Sequence, residues 1–136
     1  MGSVSASSNP RRTLLVVEDD GPIRNLLTYN LRREGFEVTA AADGIEAIAL
    51  AHGGYEAALV DLWMPGKDGF EVLDHFRRNH PEVPVVIVSA HAQEKDVAAI
   101  RAAGAFDFIS KPFRIAQLLE IVHTASRTRT AAKAGA

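Results

Sequence analysis

Leu59-Val60-Asp61-Leu62-Trp63-Met64-Pro65-Gly66-Lys67-Asp68-Gly69 is the stretch whose reading decides the fold. The apolar run from Ala57 to Val60 reads as a buried strand, and Asp61 stands where that strand stops. Pro65, Gly66 and Gly69 then force a loop, because proline has no amide donor and glycine readily takes left-handed conformations. A carboxylate is thus presented at a strand's end, above a short turn-rich loop. On this segment alone, an aspartate in an ordinary turn explains the pattern equally well. The other strand ends must decide between the two.

Working outward, Leu14 to Val17 is a short apolar strand that runs into Glu18-Asp19-Asp20. Gly21-Pro22 opens a helix whose apolar positions Ile23, Leu26, Leu27 and Leu31 have the spacing of one buried face. Asp20 suits its N-cap and Gly35 its end. Phe36 to Ala41 is a second strand, and Asp43-Gly44-Ile45-Glu46 looks like a capping box for an alanine-rich helix ending at Gly53-Gly54. Beyond the Asp61 loop, Phe70, Leu73 and Phe76 share a helical face. Val83 to Val88 is a fourth strand, ending at Ser89. A helix from about Gln93 to Ala103 has few large anchors, mainly Val97 and Ile100, and Gly104 caps it. Ala105 to Ile109 is a fifth strand, followed by Ser110-Lys111-Pro112. A last helix carries Ile115, Leu118, Leu119 and Val122. Residues 1–12 read as a disordered lead-in, and residues 127–136, without apolar periodicity, as linker or frayed tail.

Strand and helix therefore alternate five times, and the strands are uniformly apolar rather than alternating. That pattern predicts an α/β fold with a parallel sheet covered by helices on both faces. Right-handed crossovers leave a few doubly wound orders. The flavodoxin-like three-layer order 2-1-3-4-5 sets strands 1 and 3 side by side, where ligands bind beyond the strands' carboxyl ends.

Composition narrows the function. With 136 residues and 47% hydrophobic content, the chain is sized for one domain with a core of its own. A formal net charge of −2 gives no global attraction to nucleic acid or anionic membrane. The chain has no cysteine, which removes disulfides, thiolate metal sites and cysteine nucleophiles. Its longest apolar runs are too short to span a bilayer, and a cytoplasmic location is the simplest expectation.

In the 2-1-3-4-5 order, Glu18 and Asp19 neighbour Asp61. Carboxylates gathered this closely repel, and need a compensating cation. Lys111 can reach inward along the same sheet edge. An oxygen-preferring divalent ion, Mg²⁺ above all, suits one or two carboxylates, a carbonyl, waters and a phosphate oxygen. Ser89 adds a neutral hydroxyl. Taken singly, Glu18 and Asp20 read as solvated or capping residues, Ser89 as a helix-start residue and Lys111 as a surface lysine. Taken together they suit phosphoryl transfer onto Asp61. A carboxylate can accept a phosphoryl group covalently, with Lys111 and the metal neutralising the transferring oxygens and Ser89 hydrogen-bonding one of them.

Val16-Val17-Glu18-Asp19, Asp61 with Met64-Pro65 and Gly69, Ser89-Ala90, and Lys111-Pro112-Phe113 together resemble the receiver domain of two-component response regulators, of the chemotaxis-regulator kind. The similarity runs from about Thr13 to Thr124, and it marks residues 13–126 as the receiver domain. It implies that Asp61 takes phosphate from a sensor kinase phosphohistidine or a histidine phosphotransfer protein. It implies that Asp19, Asp61 and the Trp63 carbonyl bind Mg²⁺ directly, and that Glu18, aspartate in many relatives, acts through water. Asp20 stays a helix cap. The resemblance also implies a cis Lys111-Pro112 bond, and a switch in which Ser89 moves toward the phosphoryl group while Phe108 packs inward behind it. Many relatives carry tyrosine in place of Phe108, which cannot offer a phenolic hydrogen bond.

Trp63 and His91 should flank the phosphoryl group, where their bulk would hinder an attacking water. Otherwise Trp63 is a partner contact and His91 is solvated. His52, His75, His80 and His123 show no metal-ligand spacing and read as surface residues. The expected role is a regulatory phosphoacceptor that promotes its own phosphotransfer and dephosphorylation and is otherwise no enzyme. It would signal to an output protein or effector domain without touching nucleic acid or membrane, and phosphorylation could pair it with a second copy. Two alternatives are the N-terminal receiver fragment of a DNA-binding transcriptional regulator and an aspartyl-phosphate-forming phosphatase. The second usually needs an acid two residues after the nucleophile, where this chain has Trp63. Flavin binding on the same topology fails, because an acidic first loop would repel the cofactor's phosphate.

Overall fold

A computed structural model describes residues 12–64, 68–90 and 94–135. Among them, strands and helices alternate as β1 (Thr13–Val17), α1 (Gly21–Arg33), β2 (Glu37–Ala41), α2 (Gly44–Leu50), β3 (Ala57–Asp61), α3 (Gly69–Asn79), β4 (Val85–Ser89), α4 (Glu94–Ala102), β5 (Asp107–Ser110) and α5 (Ile115–Gly135). The strands form one parallel sheet in the order β2-β1-β3-β4-β5, the flavodoxin-like order that the sequence pattern predicts.

Successive strand residues point to opposite faces, and this divides the core in two. Leu15, Val17, Ala58, Val60 and Ile87 pack with Ala47 of α2, Val72, Leu73 and Phe76 of α3 and Ile100 of α4. Leu14, Val16, Ala57, Leu59, Val86 and Val88 pack with Leu27 and Leu31 of α1 and Leu118, Val122 and Ala125 of α5. The inner strands β3 and β4 are buried along their whole length, which is why they carry no alternating polar residues. Leu26 departs from the expected buried face of α1 and is 50% exposed. The row Ile23, Leu27, Leu31 faces the sheet at intervals of four, leaving Leu26 on the flank.

Local signals explain the joints. Asp20 caps α1 by accepting from the Ile23 amide at 3.0 Å. Asp43 accepts from the Glu46 amide at 2.8 Å, while the Glu46 carboxylate takes the Ala42 amide rather than that of Asp43. A reciprocal capping box is instead found at Asp68 and Glu71, at the start of α3. Gly35 and Gly104 both hold positive φ, at 98° and 95°, where other residues are strained.

Two differences from the sequence reading lie at the base of the sheet. Arg12, assigned to the lead-in, joins the fold: its carbonyl accepts the Glu37 amide at 2.9 Å, and its guanidinium lies 5.0 Å from the Phe36 ring centre. Residues 127–135, read as linker or frayed tail, continue α5. Alanine and arginine favour helix, and polar bonds replace the missing apolar stripe. Arg129 donates to the Gly53 carbonyl at 2.7 Å and Thr130 to the Glu56 carboxylate at 2.9 Å. Buried Ser126 also donates to Glu56, at 3.3 Å.

Candidate functional site

Parallel strands end together, so their C-terminal residues share one edge. Hydrogen bonding continues a residue past β1, β3 and β5: the Glu18 amide donates to the Ala41 carbonyl at 3.1 Å, Leu62 to Val88 at 2.9 Å, and Lys111 to Ser89 at 2.8 Å. Glu18, Asp61, Ser89 and Lys111 are thereby held at neighbouring positions on a rigid frame. One oxygen from each carboxylate of Glu18, Asp19 and Asp61 lies within 4.8 Å of the others. Glu18 and Asp61 are buried, at 1% and 6% exposure, whereas Asp19 faces solvent.

Lys111 supplies an ammonium to this cluster. Its Nζ lies 2.8 Å from Glu18 Oε1 and 3.6 Å from Asp61 Oδ2. Burial alone would lower the lysine's pKa, but the Glu18 hydrogen bond and the charges of Asp61 and Glu18 raise it above its ordinary value. The Asp61 carboxyl is pushed up to about 7, by burial first and then by the neighbouring Glu18 charge; Lys111 opposes the shift without cancelling it. One ammonium against three carboxylates leaves the edge short of positive charge.

Ser89, the last residue of β4, is fully buried, and its Oγ has no hydrogen-bond partner among the described residues. A buried hydroxyl without a partner carries a desolvation cost that an incoming acceptor would relieve. The donors here are all oxygens, they are crowded and undercompensated, and they fit a hard divalent cation. The Lys111-Pro112 peptide is cis.

The remaining predicted residues are less tightly gathered. Trp63 follows Asp61 by two residues and is 53% exposed. Phe108 is half-buried in β5, packed against the core cluster beneath α4. His91 lies outside the described residues, as do Pro65, Gly66 and Lys67. His123 pairs with Glu34 at 3.0 Å and His52 stacks on Tyr55 with ring centres 4.0 Å apart. Among the described residues no histidine joins a group able to hold a metal.

Gly69, which the sequence already places in the loop, and Arg24, which it does not single out, both shape the site. A Cβ on Gly69 would lie 2.6 Å from the Asp61 carbonyl oxygen and 2.6 Å from the Leu62 Cα, so only glycine lets α3 close this tightly over the end of β3. Arg24 turns back from α1 and donates to the Glu18 carbonyl at 2.8 Å. A shallow groove of about 450 Å³ opens beside Lys111, lined by Ile23, Leu26, Ala90, Pro112, Phe113 and Ile115.

Residues 14–123 match the family described as response regulator receiver domain. The nitrogen assimilation regulatory protein NtrX of Azorhizobium caulinodans is 40% identical over 119 residues, covering 85% of this chain and 26% of that protein. YkoG of Bacillus subtilis, an uncharacterized transcriptional regulatory protein, is 36% identical over 115 residues, covering 84% of this chain and 50% of that one. A solved CheY-like response regulator receiver domain protein from Methanospirillum hungatei superposes with a TM-score of 0.81 at 26% identity, over 90% of this chain and 98% of that one. The chain thus spans half the length, or about a quarter, of the curated relatives it matches.

Proposed function

The chain belongs to the response regulator receiver domain family, and on that premise we propose that Asp61 accepts a phosphoryl group from the phosphohistidine of a sensor kinase or a histidine phosphotransfer protein. The observation that carries this reading is Asp61 itself, a buried carboxylate at a strand end, facing Lys111 Nζ at 3.6 Å, with the Ser89 hydroxyl on the next strand, unpartnered among the described residues.

A carboxylate oxygen of Asp61 attacks phosphorus, the phosphorus–nitrogen bond breaks, and the imidazole leaves with the electron pair. Lys111 sits where an oxygen of the transferred group would be neutralised, and Ser89 Oγ is free to donate to another. Asp19 and Asp61, with the Trp63 carbonyl, would hold Mg²⁺, and Glu18 would act through a water. Bound there, Mg²⁺ supplies charge neutralisation for the phosphoryl oxygens. The groove beside Lys111 gives the donor histidine's protein an apolar footing near the acceptor.

In the resting state Ser89 and Phe108 are the movable parts of the switch, with output through α4, β5 and α5. The half-exposed Trp63 shields the acyl phosphate from water. The unit runs from Arg12 through the end of α5, works in the cytoplasm, and promotes its own phosphotransfer and dephosphorylation. Among the described residues no helix is long and apolar enough to cross a membrane. Both curated relatives carry regulatory names and exceed this chain in length, which favours an effector domain, or a separate output protein, as the recipient of the signal. Trp63 stands where a phosphatase would need its second acid, which disfavours turnover of phosphate esters.

Incubation with Mg²⁺ and acetyl phosphate, followed by intact mass, tests the reading. One added phosphoryl group, absent in Asp61→Asn and absent without Mg²⁺, is expected. Labelling that survives Asp61→Asn would overturn it.

A further inference from the structure

We propose that Arg24 is a positioning residue for the divalent-cation site, its side chain fixing the direction of the acidic loop through the successive carbonyls of Glu18 and Asp19. The inference rests on the reading of Glu18, Asp19 and Asp61 as that site. Beyond Val17 the β1 ladder continues only through the Glu18 amide, which bonds to Ala41. From there to the start of α1, the loop carbonyls need other donors. Arg24 supplies them. The Asp20 carbonyl is taken by the first backbone bond of α1, from the Arg24 amide at 2.8 Å, and the Arg24 Nη1 donates to the Glu18 carbonyl at 2.8 Å and, more weakly, to the Asp19 carbonyl at 3.4 Å.

The choice of acceptor matters. These guanidinium bonds go to carbonyl oxygens rather than to carboxylates, so a cation is placed beside the acids without consuming the oxygens that would bind metal. The planar guanidinium can serve two carbonyls from one nitrogen in a preset geometry, which a lysine ammonium on a flexible stem does less well. Glu18 is fixed from its other end as well: Oε2 accepts the Asp20 amide at 3.2 Å while Oε1 holds Lys111. Residues outside the ligand set that orient ligands in this way alter metal affinity by roughly 10–100-fold when removed.

Charge and position make opposite predictions. As a mere positive charge, Arg24 repels Mg²⁺, and its removal would tighten binding. As a positioning residue, its removal loosens the loop and weakens binding. The test uses the full chain, with Arg24→Met and Arg24→Lys. Mg²⁺ titrations without phosphodonor are read by the fluorescence of Trp63, the sole tryptophan in the sequence, and by melting temperature. Amide hydrogen exchange at residues 18–20 is measured without metal.

The expected result for Arg24→Met is about tenfold weaker Mg²⁺ binding and faster exchange at those amides. Arg24→Lys should fall between it and the parent. Acetyl phosphate labelling at saturating Mg²⁺ should recover to within about twofold of the parent rate, a shift in affinity rather than in chemistry. Unchanged or tighter Mg²⁺ binding in both variants, with unchanged exchange, would overturn the proposal while leaving the parent's phosphoacceptor role intact. A parent chain that binds no Mg²⁺ would overturn both.

Discussion

Without a divalent cation, the Asp61 carboxyl is pushed up to about 7, well above an ordinary aspartate, because burial first and then the Glu18 charge oppose its ionisation. The folded chain therefore holds more protons than the unfolded one between about pH 4 and pH 7, and its stability falls as pH rises through that window. Asp61→Asn should accordingly stabilise the fold at pH 8 in chelator by on the order of 1–2 kcal/mol, seen as a higher melting temperature, with the gain shrinking toward pH 5. Thermal melts across that range check it; a gain that grows on acidification would contradict the crowding. Ser89 poses a similar problem without charge. Its buried hydroxyl makes no bond among the described residues, so Ser89→Ala should stabilise the resting protein by about 1 kcal/mol while slowing acetyl phosphate labelling. A destabilised Ser89→Ala would mean that the hydroxyl is already bonded at rest.

At the scale of elements, the tightest joint is where α3 starts against the end of β3. Gly69→Ala would press a methyl group into the Asp61 and Leu62 backbone, and since both are strand-end backbone rather than flexible side chain, something must move. A loss of roughly 2 kcal/mol or more is expected, together with slower labelling because the shifted atoms carry Asp61; chemical denaturation and labelling rate measure the two effects. Truncation after Ser126 should behave differently. It removes the Arg129–Gly53 and Thr130–Glu56 bonds, costing about 1–2 kcal/mol, and leaves labelling within about twofold. The contrast also explains what the sequence could reveal. Strands and most helices were legible because their residues are apolar at fixed intervals. The end of α5 was not, because it is held by polar bonds to Gly53 and Glu56, more than seventy residues away in the chain. The exposure of Leu26 was missed because intervals of three and four both look like one face until a sheet chooses between them.

Across the whole molecule, the site was legible for a topological reason: once the strand order is 2-1-3-4-5, residues that end strands must meet, and Glu18, Asp61, Ser89 and Lys111 do so. Arg24 left no such trace, since its side-chain partners are backbone carbonyls, which every residue possesses. The same parallel order separates two poles. Chemistry occupies the end where strands finish, whereas Arg12 and Ser126 meet at 3.5 Å near the end where strands begin. A small folded tag joined after residue 136 should therefore leave the labelling rate within about twofold, as a rate assay on the fusion would show. The 21 residues of α5 run about 32 Å, nearly twice the roughly 17 Å of a five-residue strand. The domain is thus polar: its acidic edge lies where the strands finish, while α5 runs back past the opposite end, stiffened there by its bonds to Gly53 and Glu56, so changes at one pole leave the other in place.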